Sequence, residues 1–308
     1  MRIGVVYHHT HKSWNLNIWD DIQTLWVINF LQELYGNVEI IYINREEIHL
    51  FKSQDPLVVV MQGWWMHCVD NWPPSDSIIP LFIWFHLSSG MRNFINNNPD
   101  QINYFHKYAP IGCRDISTLD FFRKNKVDAY FSWCMSIFQK PSSGILKQSD
   151  LTFCVDAEEV VPLIPSSIAT DNLVCLSHKI WFPDFLEGLK IAQKLIDIYH
   201  SRGKFIITSR LHCALPCISL GLPVIVFLKN RKDPRLELLR EYTNNIYFLG
   251  YLYPFFSRFS IFMKIFSFLF YKKISWELRP DNNLDKKRNI LKDAFKKQLQ
   301  FLEQLKIF

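Results

Sequence analysis

Seven short, predominantly apolar runs punctuate the chain, at 3–7, 38–43, 57–61, 81–85, 173–176, 205–208 and 224–227. Amphipathic helical patterns alternate with them, most clearly over 20–35, 116–125, 185–200 and 211–220. A strand that is apolar at every position has no face to offer water, so it has to be covered on both sides. Antiparallel hairpins with one wet face are thereby excluded. Strands alternating with helices then predict parallel sheets wrapped by helices, an α/β fold.

A chain of 308 residues has room for two such units. A polar stretch at 140–150 (KPSSGILKQSD) separates the first four runs from the last three and predicts the junction. The division expected is 1–142 as an N-terminal Rossmann-like unit on the acceptor side and 150–250 as a second on the donor side, with 251–308 as a basic amphipathic tail. Ligands of parallel α/β sheets bind beyond the C-terminal strand ends, so the expected site is the cleft between the two units. There is no internal sequence repeat. Seven cysteines without paired spacing suit a reducing compartment, and residues 1–7 enter a strand pattern directly, so a cytoplasmic chain is expected.

The segment 205–224 (FIITSRLHCALPCISLGLPV) carries the densest chemistry. A buried strand ends at Thr208, a polar turn follows, and a brief helix closes at Gly221 before the next strand. Pro216 is expected in the first turn of that helix, where proline is tolerated. Arg210 and His212 would then stand at a helix N-terminus on top of a sheet, where N–H groups favour an anion. An arginine offers a planar fork to phosphate or carboxylate, and a histidine exchanges protons near neutral pH. Cys213 and Cys217 share one helix face and are expected to pack. The group at 8–11 (HHTH) lacks supporting cysteine or carboxylate spacing, and no metal is expected there.

The turn Ser209-Arg210-Leu211-His212, with Gly221 and Pro223 after the helix, resembles the C-terminal signature of the polysaccharide pyruvyl transferase family. The block 110–115 (PIGCRD), followed by Thr118 and 127–131 (VDAYF), is similar to that family's arginine–aspartate block. Residues 17–24 (NIWDDIQT) stand where the family has an Asn-x-Gly-Asp stretch, and 62–65 (QGWW) with 71–74 (NWPP) where it has a glycine-rich loop. Trp19, Trp64 and Trp65 occupy positions where glycines are usual. The resemblance covers roughly residues 1–250 in order. It implies two Rossmann-like domains in a GT-B-like arrangement. It also implies transfer of pyruvate from phosphoenolpyruvate to two hydroxyls of a sugar, with phosphoenolpyruvate as co-substrate and no cofactor.

Phosphoenolpyruvate carries a phosphate and a carboxylate, which Arg114 and Arg210 would clamp. His212 is the expected acid/base. Leu211 and Ser209 would line the donor pocket, and His178, at the end of the run 173–176, would be a further donor contact. Asp21 and Trp65 are the acceptor candidates. Asp115 is placed to cap the helix after it, as are Asp20 and Asp21. A glycosyltransferase of the same fold using a nucleotide sugar, and a non-catalytic sugar-binding member of a polysaccharide assembly complex, are the alternatives.

Positive charge is concentrated at the end of the chain. Residues 251–308 hold 12 Lys/Arg and 5 Asp/Glu, whereas the first 250 hold 23 and 24. Within 254–273 (PFFSRFSIFMKIFSFLFYKK) a narrow polar stripe interrupts an otherwise aromatic and aliphatic surface. Arg258 and Lys264 argue against a buried span. A helix lying on an anionic membrane surface accounts for both features, rather than a nucleic-acid contact. The expected location is the inner face of the cell membrane, with a lipid-linked oligosaccharide as acceptor. The last segment, 284–308, is expected to pack Leu284, Leu291, Phe295, Leu302 and Leu305 on the body and expose its lysines.

Overall fold

A computed structural model of the chain describes residues 1–8, 16–138, 141–165, 168, 172–229, 231–233, 235–248 and 284–304. The membrane-docking segment 254–273, the histidines of 9–11 and Leu305 lie outside these. In chain order the strands are β1 (Arg2–Tyr7), β2 (Leu16–Asn17), β3 (Glu39–Asn44), β4 (Leu57–Trp65), β5 (Ile78–Leu87), β6 (Ile111–Cys113), β7 (Ala129–Phe131), β8 (Leu151–Val155), β9 (Leu173–Leu176), β10 (Lys179–Ile180), β11 (Gly203–Thr208), β12 (Val224–Leu228) and β13 (Ile246–Phe248). The helices are α1 (Ile18–Tyr35), α2 (Ser89–Asn97), α3 (Gln101–Lys107), α4 (Ile116–Lys124), α5 (Phe185–Arg202), α6 (Leu211–Ser219), α7 (Leu236–Arg240) and α8 (Leu284–Gln304).

Two parallel sheets carry the fold. The first has six strands in the order β3-β1-β4-β5-β6-β7, the second five in the order β13-β12-β11-β8-β9. Counted along the chain, both follow the same doubly wound pattern, in which the second strand lies outside the first and the rest extend the other way. The strand order therefore reverses between β1 and β4 and again between β8 and β11, and a crevice opens at such a point. Two Rossmann-like units result, as expected from the alternation of apolar runs and helices, in the GT-B-like arrangement that the resemblance implies. The topology repeats although the sequence does not.

Six strands escaped the periodicity reading, among them the two-residue β2 and β10. Strands β6, β7 and β13 are only three residues long, too short for a pattern to register, and β8 (LTFCV) has a polar residue within it.

Helix α1 joins the units. It is buried around most of its circumference, including Trp26, Phe30, Gln23 and Asp21. A helix without a wet face belongs between two layers, and α1 lies between the first sheet and helices α5 and α6. One continuous apolar core consequently runs from Ile3 through α1 into α6. A second, smaller cluster covers the far face of the second sheet, where Val160 and Ile164 pack on Phe205, Ile207 and Phe227.

The α1–α5 contact is close because α5 offers Gly188. A Cβ there would stand 2.6 Å from Phe182 Cε2 and 2.9 Å from Asp21 Oδ1. Gly188→Ala should therefore destabilise the chain by about 1–2 kcal/mol, overpacking outweighing the better helix propensity of alanine. A lowered urea midpoint checks this, and an unchanged or higher midpoint would show that α5 slides freely on α1.

Helix α8 returns to the first unit, burying Leu284, Leu291, Phe295 and Leu302 as the spacing predicts and leaving Lys286, Lys296 and Lys297 exposed. Phe295 stacks on Trp84 (centroids 5.8 Å apart), and Gln298 Nε2 donates to the carbonyls of Phe82 (2.8 Å) and Pro110 (2.7 Å). Among the described residues no helix is long and apolar enough to cross a membrane.

Candidate active site

The C-terminal strand ends of both sheets face one cleft. On the side of the first sheet, Asn17 caps α1 and Trp19 lies in its first turn, Trp64 and His86 are the penultimate residues of β4 and β5, and Arg114 with Asp115 follows β6. From the second, Arg210, Leu211 and His212 follow β11, and Arg235 and Leu238 follow β12. Together they line a cavity of about 250 Å³. A second lobe of about 290 Å³ adjoins it, lined by Asp20, Gln23 and His67. Asn17, Trp19, Trp64, Arg114 and His212 border both lobes. The space thus has two compartments with one guanidinium and one imidazole at their junction.

Arg114 is buried, and among the described residues no carboxylate lies within ion-pairing distance of it. Its Nη1 donates to Gln23 Oε1 (2.7 Å) and stands 3.4 Å from His212 Nε2. Gln23 is itself fixed through Nε2 to the Trp19 carbonyl at 3.2 Å. Its hydrogen bonds go to neutral acceptors and only the nearby charge of Asp115 offsets it in part, so an anion in the cavity would complete its pairing.

Arg210 divides its guanidinium. Its Nε donates to Asp156 Oδ2 (3.0 Å), and about a third of the side chain stays exposed at the cavity. The backbone is pinned by Thr208, whose hydroxyl accepts from the Arg210 N–H (3.0 Å) and donates to the Val155 carbonyl (2.9 Å). Arg235, which the sequence reading did not single out, is paired with Asp233 through Nε and Nη2 and donates through Nη1 to the Ser209 carbonyl. It adds positive charge to the same wall.

His212 is half-buried at the start of α6. Burial, then the charges of Arg114 and Arg235 and the nearby His86, push its pKa well below the ordinary histidine value. The ring is therefore neutral at physiological pH. Pro216 falls in the second turn of α6 rather than the first. Its missing N–H withholds the usual helical partner from the His212 carbonyl, a cost the well-packed helix absorbs.

Four expected ligand contacts are corrected. His178 is completely buried rather than at the rim: its ring lies under Trp19 with centroids 3.9 Å apart, and its Nε2 pairs with the Tyr199 hydroxyl. Burial lowers its pKa to about 3, so it is a neutral support beneath Trp19. Asp21 is also buried, turned towards Gly188 and Phe182 and away from both lobes. Trp65 is fully buried with its indole N–H on the Gln62 carbonyl (2.9 Å); its neighbour Trp64 is the one at the cleft. Ser209 stands behind the wall, its hydroxyl donating to the Asp156 carbonyl at 2.5 Å. Leu211 lines the cavity as expected, and Asp20 borders the second lobe. Asn17, not Asp20 or Asp21, is the N-cap residue of α1.

No protein-family profile matches the chain, and no curated protein matches it. Solved structures are similar at a distance. An uncharacterised protein of Klebsiella pneumoniae subsp. pneumoniae NTUH-K2044 aligns at TM-score 0.44 and 13% identity, over 80% of this chain and 92% of that one. The wall teichoic acid polymerase TagF aligns at TM-score 0.39 and 9% identity, over 96% and 89%. A Listeria monocytogenes protein assigned as a UDP-N-acetylglucosamine 2-epimerase aligns at TM-score 0.36 and 9% identity, over 94% and 95%. Likeness this distant says nothing about chemistry, which has to come from the cleft's own residues.

The first lobe offers guanidinium groups on two walls and suits a small, multiply charged anion. The second lobe is bordered by two indole rings, Trp19 and Trp64, with Asp20 and Gln23 as polar partners. Flat aromatic surfaces beside hydrogen-bonding side chains suit a polyol. Among the described residues no cluster of three metal-ligating side chains occurs.

Proposed function

We propose that the chain is a pyruvyl transferase that moves pyruvate from phosphoenolpyruvate onto two hydroxyls of a sugar, forming a cyclic ketal. The observation that carries this reading is Arg114, a buried guanidinium without a carboxylate, at the junction of an anion-suited lobe and a polyol-suited lobe. Phosphoenolpyruvate in the first lobe would set its phosphate and carboxylate between Arg114 and Arg210, with Leu211 against its carbon face. His212 borders both compartments and can exchange a proton with an acceptor hydroxyl. Once a dianion occupies the lobe, it offsets the positive charges that suppress His212 protonation. A sugar of a surface polysaccharide, or of its lipid-linked precursor at the inner membrane leaflet, suits the second lobe. The basic, aromatic segment 254–273 would hold the enzyme at that surface.

Ligand-dependent thermal denaturation tests the reading. Phosphoenolpyruvate at 100 times its dissociation constant should stabilise the fold by about 2.7 kcal/mol, seen as a raised Tm. A shift with nucleoside diphosphates and none with phosphoenolpyruvate would favour a glycosyltransferase, and no shift with either a sugar-binding protein. With an acceptor supplied, the product should gain the mass of pyruvate less water.

A further inference from the structure

We infer that His86, held by Asp115, is a second proton-transferring residue of the cleft, assigned to the donor carbon; this rests on the pyruvyl-transfer reading above. His86 is the penultimate residue of β5 and lines the first lobe only, whereas His212 borders both. Its Nδ1 lies 2.5 Å from Asp115 Oδ2. Asp115 is held in turn by the Ser117 hydroxyl (2.6 Å), the Thr118 N–H (3.0 Å) and the Thr118 hydroxyl (2.9 Å). The carboxylate is thus cap and tether at once, Oδ1 taking the helix N–H and Oδ2 the imidazole.

Burial alone would raise the pKa of Asp115, but the hydrogen bonds from His86 and Ser117 and the charge of Arg114 hold it well below the usual carboxylate range. An ionised Asp115 accepts only, so His86 Nδ1 carries a hydrogen and Nε2 is left to exchange protons. The charged groups around the ring are Asp115 on its own side, Arg114, Arg92 on α2, and His212 with Arg210 and Arg235 across the cavity. Burial and the arginines lower the pKa of His86, and Asp115 opposes them. A bound phosphate and carboxylate add negative charge and favour the imidazolium.

Each half of ketal formation gives a proton to one atom and takes one from another, which a single neutral imidazole cannot begin because it has no acidic proton for the methylene carbon. In the first half, the His86 imidazolium gives its Nε2 proton to the methylene carbon of phosphoenolpyruvate, turning CH2 into CH3. The acceptor hydroxyl oxygen bonds to the adjacent carbon, and its proton passes to His212. In the second half, the bond from that carbon to the phosphate oxygen breaks. Phosphate leaves with the electron pair and the His212 proton. The second hydroxyl oxygen takes its place, and its proton returns to His86. Both imidazoles end as they began, and no oxidant or reductant is required.

The test is deuterium incorporation into the product methyl group in D2O, measured with turnover and phosphoenolpyruvate binding for the full chain, His86→Asn and Asp115→Asn. Asparagine at 86 keeps a donor for Asp115 but cannot pass a proton. It should bind phosphoenolpyruvate within about threefold of the parent while kcat falls about 10²–10³-fold. Asp115→Asn keeps the cap and should retain binding, lose kcat about tenfold or more and move the kcat pH profile, which a purely structural role would not move. A parent chain that binds and transfers, with His86→Asn equal to it in rate and pH profile, overturns this inference alone. A parent that neither binds phosphoenolpyruvate nor transfers pyruvate overturns the functional reading, and this assignment with it.

Discussion

Arg114→Met should bind phosphoenolpyruvate at least 100-fold more weakly than the parent and yet be no less stable. The two effects have one cause. Arg114 is a buried cation whose contacts are the neutral Gln23 Oε1 and His212 Nε2. Burying a guanidinium without a counter-ion costs several kcal/mol even after relaxation. The free protein carries that cost, and the anion recovers it on binding. Charge-assisted hydrogen bonds contribute about 1.5–3 kcal/mol each, so losing two of them gives a fall of about 10²–10⁴ in affinity. Methionine fills a similar volume with apolar atoms, and the relief of desolvation offsets the hydrogen bond that Gln23 loses. Calorimetric titration with phosphoenolpyruvate and urea denaturation of the same samples measure the two halves. The pKa of His212 should also rise, because Arg114 is one of the charges that depress it. Unchanged affinity in the variant would remove Arg114 from the anion site.

Asp21→Asn should stabilise the chain at pH 8 by several kcal/mol and have little effect near pH 4. Neither carboxyl oxygen of Asp21 has a hydrogen-bond partner among the described residues. Burial, with the neighbouring charge of Asp20, raises its pKa to about 8. The folded chain therefore keeps a proton that the unfolded chain releases above its ordinary pKa of about 4. Between those two values folding binds a proton, so stability falls as pH rises. The slope approaches about 1.4 kcal/mol per pH unit and flattens above pH 8. Asparagine removes the titration and keeps the shape. Urea midpoints at pH 4, 6 and 8 should diverge between parent and variant. Parallel lines would mean that Asp21 is ionised and solvated in the folded chain. The α1–α5 contact would then be open to water.

What a resemblance in sequence can and cannot carry is seen in the N-terminal segment. Asp20 and Asp21 are adjacent and chemically identical, yet Asp20 borders the second lobe and Asp21 is turned into α5. Successive residues on a helix point about 100° apart, so one helix turn shares its residues between ligand and core. Trp64 and Trp65 divide in the same way along β4, one at the cleft and the other in the core. For that pair, strand alternation would have assigned opposite faces but not which face is wet. A helical-period analysis of 17–24, together with the unusual tryptophan at 19, was the available signal for Trp19 and Asp20.

His86 was hidden for a different reason. Strands β4 and β5 pair in register up to Met61 and Phe82 and then shift, so that Gly63 meets Phe85. Gly63 (φ 83°) and Trp84 (φ 54°) adopt left-handed backbone conformations there. Glycine takes that conformation freely, but tryptophan does so only under compulsion of its surroundings. Here they are the Ser132 hydroxyl on its N–H (3.0 Å) and the Phe295 ring on its indole. A bulge exchanges the faces of every residue beyond it. Simple alternation along 81–87 therefore gives no guide to whether Phe85 or His86 reaches the cleft.

The linear chain determined the layers and the anchor points of the site. Apolar runs call for parallel strands covered by helices, and the central strands β1, β4, β5, β11 and β12 are largely buried as expected, whereas β3 and β9, at the sheet edges, are mostly half-buried or exposed. Polar turns at the run ends deliver Arg114, Arg210 and His212 to the C-terminal edges of the sheets. Only the tertiary structure decided which of those groups meet and in what state of charge. Whether an arginine is free or neutralised depends on which carboxylates the fold brings up: Asp156, 54 residues away, takes part of Arg210, the near neighbour Asp233 takes Arg235, and none forms an ion pair with Arg114 among the described residues. Distances across the cleft are set by how α1 is packed between the first sheet and helices α5 and α6, which depends on contacts among residues far apart in the chain.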